Sequence, residues 1–188
     1  MHTQYKPDVE YKLRNKINDM KSRKIKSRFT SPENLFLWMR NNMTYSDFTT
    51  LKSADDVFKI KSGSCHDQVI LEYSELSKMG LNPKAEFLIE YKPGSTIGGM
   101  THSFVHYKKG NKIYWFEHAM GGQEGIHQFD SINDIKAEIT RLHIIGKIGN
   151  YKAFPKLKWC SFIPEDHIPG ETIGELVNIT LSNSKRMK

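Results

Sequence analysis

Apolar residues change their spacing along this chain, and the changes mark its elements. From Asp8, the residues Val9, Leu13, Ile17 and Met20 recur every three or four positions, which predicts an amphipathic helix with basic outer faces. A charged connector runs from Lys21 to Thr30. Ser31-Pro32-Glu33-Asn34 then reads as a helix start, with Ser31 as cap and Pro32 in the first turn. Leu35, Trp38 and Met39 form its buried face, and Asn41-Asn42 end it. Ser53-Ala54-Asp55-Asp56 caps a short helix through Val57 and Phe58. The turn Lys61-Ser62-Gly63-Ser64-Cys65 feeds a third helix striped by Val69, Tyr73 and Leu76, with Gly80 as its left-handed cap.

Beyond Gly80 the period becomes two. Ala85, Phe87, Ile89 and Tyr91 alternate with Glu86, Leu88 and Glu90, as in a strand. Pro93 to Gly99 reads as a flexible loop. Residues 102–108 and 112–117 are two further strands joined at Gly110-Asn111, a type II′ hairpin turn. Gly121-Gly122-Gln123-Glu124-Gly125 is a second glycine-rich loop. Ser131 to Ile145 is a helix with Ile132, Ile135, Ile139 and Leu142 on one side, and residues 158–163 form a last strand. The pattern predicts an α+β fold, with helices on an antiparallel sheet and Cys65 opening the central helix.

Composition narrows the class. The chain has 188 residues, 38% hydrophobic and 11% aromatic, enough for one domain with a real core. Internal repeats and low-complexity tracts are absent, and no apolar run approaches the length of a membrane span. Met1 to Glu10 is polar and charged, so the expectation is a cytoplasmic chain without a signal peptide. Two cysteines, Cys65 and Cys160, make no disulfide framework.

The net charge of +7 is concentrated at the start of the chain. Residues 1–31 hold nine Lys/Arg, from Lys6 to Arg28, against Asp8, Glu10 and Asp19, so the remainder is nearly neutral. A basic arm over residues 6–28 suits nucleic acid or an acidic partner; its plainer role is a solvated helix face, since no nucleic-acid motif accompanies it.

The chemistry centres on Cys65. A helix leaving from it places the positive end of a dipole and unpaired N–H groups at the sulfur, which favours a thiolate and supplies part of an oxyanion hole. A two-residue turn at Gly110-Asn111 pairs Lys109 with Lys112. Glu117 then lies opposite Phe104, and His102 and Glu117 become diagonal neighbours roughly 7 Å apart on one face. A carboxylate on one imidazole nitrogen leaves the other for the thiol, so Cys65, His102 and Glu117 form a candidate nucleophile, base and orienting acid. A slip of one residue would separate them.

Three segments resemble the transglutaminase-like superfamily, whose core belongs to the papain-like cysteine enzyme fold. Ala54 to Asp67, ending Gly63-Ser64-Cys65-His66-Asp67, is similar to the family's short helix and Gly-x-Cys-x-Asp nucleophile motif. The helix ending Lys78-Met79-Gly80-Leu81-Asn82-Pro83-Lys84-Ala85 resembles the family's run into the next strand. His102-Ser103-Phe104-Val105 is similar to the family's His-Ala-Trp-Val, and Ile113-Tyr114-Trp115-Phe116-Glu117 to the strand that ends in its acid. The resemblance spans roughly residues 31–120. It implies a transglutaminase-like catalytic domain over 31–180, flanked by the basic segment 1–30 and a polar tail at 181–188. It also implies acyl transfer through a thioester on a peptide or protein substrate, with no cofactor and no metal. Glu117 stands where the family more often has Asp, His118-Ala119 replaces a frequent Pro, and His66 replaces a bulky residue.

Peptidase or amidase activity is the expectation. Transglutamination or deamidation of protein glutamine uses the same triad, and a non-catalytic binding module built on the basic helix is the alternative of a different class. His66, Gly98, Gly99, Gly121 and Gly122 are candidates for lining the substrate cleft. Asp67 is expected to tie down the helix start, and His106 to pack near the hairpin turn opposite Trp115. A zinc set of Cys65, His66, His102 and His106 lacks ligand-like spacing. His118, His127, His143 and His167 are read as surface or internally satisfied.

Overall fold

Among the described residues the chain forms four capped helices and seven strands. The computed structural model describes residues 26–47, 50–92, 98–164, 170, 172 and 174–175. The basic helix expected from Asp8 to Met20 and the tail at 181–188 lie outside the described residues.

Helix α1 spans Pro32–Asn42, with the Ser31 side chain accepting from the Asn34 N–H. Strand β1, Thr44–Tyr45, precedes α2, Ala54–Ile60, which Ser53 caps through the Asp56 N–H. Strand β2, Ser62–Gly63, pairs in parallel with β1, Tyr45 opposite Gly63. Helix α3 follows at once as Cys65–Lys78 and ends in a left-handed Gly80 at φ +81°.

The remaining strands are β3 (Lys84–Tyr91), β4 (Gly98–Lys109), β5 (Lys112–Glu117), β6 (Gly125–Phe129) and β7 (Lys156–Phe162). Helix α4, Ile132–Ile144, lies between β6 and β7. They form a five-stranded sheet in the order β6-β5-β4-β3-β7, every neighbouring pair antiparallel. The β4–β5 register is the expected one: Lys109 faces Lys112, His106 faces Trp115 and Val105 faces Phe116, across a turn with Gly110 at φ +62°.

Two expectations are corrected. Gly98 and Gly99 are not loop residues: β4 begins at Gly98, which pairs with Tyr91 of β3, with a register irregularity between Ile89 and Tyr91. Glycines carry no side-chain alternation, so only the neighbouring backbone could make this strand evident. Similarly, Gly125 to Phe129 is a strand because β5 pairs with it from Ile113–Phe129 to Glu117–Gly125.

Both sheet faces are covered. Leu35 and Met39 of α1, Val57 of α2, and Val69, Leu71 and Leu76 of α3 pack with Ala85, Val105, Tyr107 and Phe116 on one side. Ile135, Ile139 and Leu142 of α4 pack with Leu88, Phe104 and Trp115 on the other. The second layer explains why the polar positions of β3 are not solvated: Glu86 and Glu90 are buried beneath the α4 side. Trp38 stacks on Phe58 with ring centroids 4.6 Å apart, seating α1 on α2 beside the start of α3.

Candidate active site

The turn before α3 is built around one carboxylate. Asp67, fully buried, accepts from the Ser64 N–H at 3.1 Å, while the Ser64 side chain caps the Asp67 N–H, closing a capping box. Asp67 also accepts from the Lys52 N–H at 2.9 Å and pairs with Lys52 Nζ at 3.0 Å, fastening the preceding segment to the helix start. A Cβ on residue 63 would sit 2.5 Å from Asp67 Cβ, so close approach makes Gly63 a steric requirement. The Gly-x-Cys-x-Asp pattern is thus a local device that holds Cys65 at the first position of α3.

Glu117 ends β5 with 2% of its surface exposed. Its Oε1 accepts from the backbone N–H groups of Ala119 (2.8 Å) and Met120 (2.9 Å). Its Oε2 lies 3.0 Å from His102 Nε2. The chain turns back after β5 and clamps this carboxylate with its own backbone. Cys65 is near enough to His102 to act on it electrostatically, while Glu117 engages Nε2 of the ring. Burial opposes a charge on His102. The Glu117 carboxylate, its bond to the ring and the nearby Cys65 outweigh it and lift its pKa to about 10.

Further groups surround these three. Glu72, two turns along α3 from Cys65, is buried beside them; desolvation first, then the charges of Glu117 and Cys65, push its pKa well above the usual carboxylate range. Tyr45 is half exposed and stands near Cys65 and Asp47; burial foremost raises its pKa. Gln68 donates to the Gly63 carbonyl at 3.1 Å, and its Oε1 lies 2.7 Å from His118 Nδ1. His118 also reaches the Met39 backbone, and burial holds its pKa below the ordinary histidine value. The segment after Glu117 is thereby connected to the turn before Cys65.

A cleft of about 770 Å³ opens beside this turn, with Tyr45, Gln68 and His118 among its lining residues. Gly121 lines it too, whereas Gly122 sits in the adjoining turn at φ +79°. His66 is elsewhere: it is buried, bonded to Ser103 through Nδ1 and stacked on Phe87 at 4.7 Å. Gly98 and Gly99 open β4, four and three residues before His102.

Sequence reasoning missed Gln68, Glu72 and the cleft position of His118, for which no motif gave a signal. His143 is internally satisfied at Nε2, which donates to the Phe154 carbonyl at 2.9 Å, and His127 Nε2 lies 2.8 Å from the Gln123 carbonyl. His167 falls outside the described residues. Among the described residues no three His, Cys, Asp or Glu side chains converge as a metal-binding group, and no helix is long and apolar enough to cross a membrane. Both cysteines are free thiols. No protein-family model matches the chain, and no curated protein compared with it does so either.

Proposed function

We propose that the protein is a cysteine-nucleophile acyl-transfer enzyme of the transglutaminase-like kind, acting as an amidase or peptidase. The observation that carries this reading is His102, held by Glu117 at 3.0 Å, with Cys65 near enough to act on the same imidazole electrostatically. The helix start at Cys65 and the two backbone donors on Glu117 support it, because both fix a reactive group before substrate arrives.

In this mechanism the Cys65 thiolate adds to the amide carbonyl, forming a C–S bond. Negative charge on the former carbonyl oxygen faces the N-terminus of α3. His102 gives its proton to the amine as the C–N bond breaks, leaving a thioester and a neutral imidazole. Water then attacks while His102 takes its proton. The C–S bond breaks, releasing the acid and returning thiolate and imidazolium. An amine in place of water would give transfer through the same steps. Glu117 remains the orienting carboxylate throughout.

Alkylation by iodoacetamide at neutral pH tests the reading, with Cys160 as an internal control whose pKa burial raises. Cys65 should be modified much faster than Cys160, and His102→Ala should remove the difference. Equal, slow modification of both thiols would leave the chain as a non-catalytic module.

A further inference from the structure

Two polar side chains next to the reactive groups are buried where apolar ones would pack. His66 follows Cys65 in the first turn of α3, and Ser103 follows His102 in β4. They are 2% and 1% exposed, and His66 Nδ1 is hydrogen-bonded to the Ser103 hydroxyl. The imidazole also stacks on Phe87, with ring centroids 4.7 Å apart, and Phe87 is the β3 residue that faces Ser103 in the sheet. One ring therefore sits over a paired position of β3 and β4 and contacts both members of the pair. Ser103 shares its strand face with Val105 and Tyr107, which pack with Val69 and Leu76 of α3.

Burying a hydroxyl and an imidazole costs free energy that a hydrogen bond between them offsets. Ala and a bulky apolar residue would fill the same space without that cost. The transglutaminase-like pattern that these segments resemble has Ala at one position and a bulky residue at the other. What the polar pair adds is direction. Apolar surfaces slide past each other with little loss, whereas a hydrogen bond weakens steeply once its distance or angle leaves the optimum. A hydroxyl can donate to Nδ1 or accept from it, so this bond persists in either tautomer of the ring.

Other contacts fix each reactive group within its own segment. Asp67 fastens the turn before Cys65 to Ser64 and Lys52, and Glu117 holds His102 from β5. Gln68 reaches His118, beyond Glu117. The bond from His66 to Ser103 crosses from α3 to β4 itself, one residue from the thiol and one residue from the imidazole.

We propose that His66 and Ser103 are a positioning pair, whose hydrogen bond locks the first turn of α3 to β4 and so sets the separation of Cys65 from His102. This rests on the acyl-transfer reading and names the device that aligns its nucleophile and base. Both residues act through their neighbours. A misplacement of about 1 Å between reacting groups costs up to roughly 10²-fold in rate, so a bond that fixes this spacing has a large effect on reactivity for a small one on stability.

The test follows the rate of Cys65 alkylation by iodoacetamide at pH 7 in Ser103→Ala, in His66→Phe and in the double variant, each made with His102 intact and with His102→Ala. With His102 intact, each single substitution should slow Cys65 about tenfold, and the double variant should be no slower than the singles, since all three lose the same bond. In the His102→Ala background the same substitutions should change the rate little, because no spacing is left to set. Chemical denaturation gives the contrast with a merely structural role. The double variant buries neither end of the bond alone, so its midpoint should lie nearer the wild type than that of either single, while its Cys65 stays slow.

An unchanged Cys65 rate in both singles, equal slowing with and without His102, or a rate in the double variant that returns with its stability would overturn this inference and leave the acyl-transfer reading standing. A wild-type Cys65 no more reactive than Cys160 would remove both.

Discussion

Two imidazole–carboxylate pairs stand on the same strand, and only one adjoins a thiol. His102 and His106 lie four residues apart on β4, and strand alternation puts them on one face. His102 Nε2 is 3.0 Å from Glu117, and His106 Nε2 is 3.5 Å from Glu86. Glu117 is clamped by two backbone N–H groups, whereas Glu86 accepts from the Ser161 hydroxyl and leaves its Oε2 without a hydrogen-bond partner. Cys65 acts on His102 electrostatically, whereas His106 packs against Phe104 and faces Trp115. A third pair, His143 with Glu90 at 3.4 Å, lies under the segment around Asn150. Burying a histidine beside a carboxylate is therefore a recurring structural solution in this sheet. What separates the His102 pair is its neighbour at the start of α3.

Substitutions should divide the pairs accordingly. The largest effect belongs to His102→Ala, expected to reduce Cys65-dependent turnover by about 10²- to 10⁴-fold, the usual range for a lost acid–base group. Glu117→Gln should follow. Without the carboxylate only Cys65 is left to oppose burial, so the pKa of His102, followed by NMR, should fall from about 10.

The same pair predicts a pH dependence of stability. His102 is raised above its unfolded value of about 6.5, so its contribution is full below that pH and is lost as pH rises towards about 10. Chemical denaturation across this window should show the loss in the wild type and a smaller one in Glu117→Gln.

His106→Ala sharpens the contrast from the other side. It should lower stability by about 1–3 kcal/mol by stranding a buried acid, yet leave the alkylation rate of Cys65 as it was. A slowed Cys65 in this variant would mean that the two pairs act as one unit. His118→Ala removes the contact to Gln68 and should lower stability by about 1 kcal/mol. It should also slow Cys65 alkylation modestly, because Gln68 holds the Gly63 carbonyl. Glu72→Gln should change least. A carboxyl held uncharged by burial is close to its amide in shape and charge, and thermal melts at pH 6 and 7 should agree with the wild type.

Much of the architecture was legible because it depends on short-range rules. The caps at Ser31 and Ser53, the left-handed Gly80 and the Gly110 turn are each set by a few adjacent residues. The hairpin register followed from the turn length, and with it the diagonal placement of His102 and Glu117. The strand beginning at Gly98 and the strand at Gly125–Phe129 were not legible, since their pairing is supplied by distant backbone and their own side chains carry little alternation.

The amino-acid sequence by itself determined the helices, the central hairpin and the candidate chemistry at Cys65, His102 and Glu117, because local backbone preferences and a period of two or three to four are written in neighbouring residues. Only the tertiary structure decided that Glu86 and Glu90 are buried, that His118 meets Gln68 across 50 positions, and that His66 meets Ser103 across 37. Those relations depend on which layers cover the sheet and where α3 comes to rest, and packing between distant segments has no signature in the spacing of any one of them.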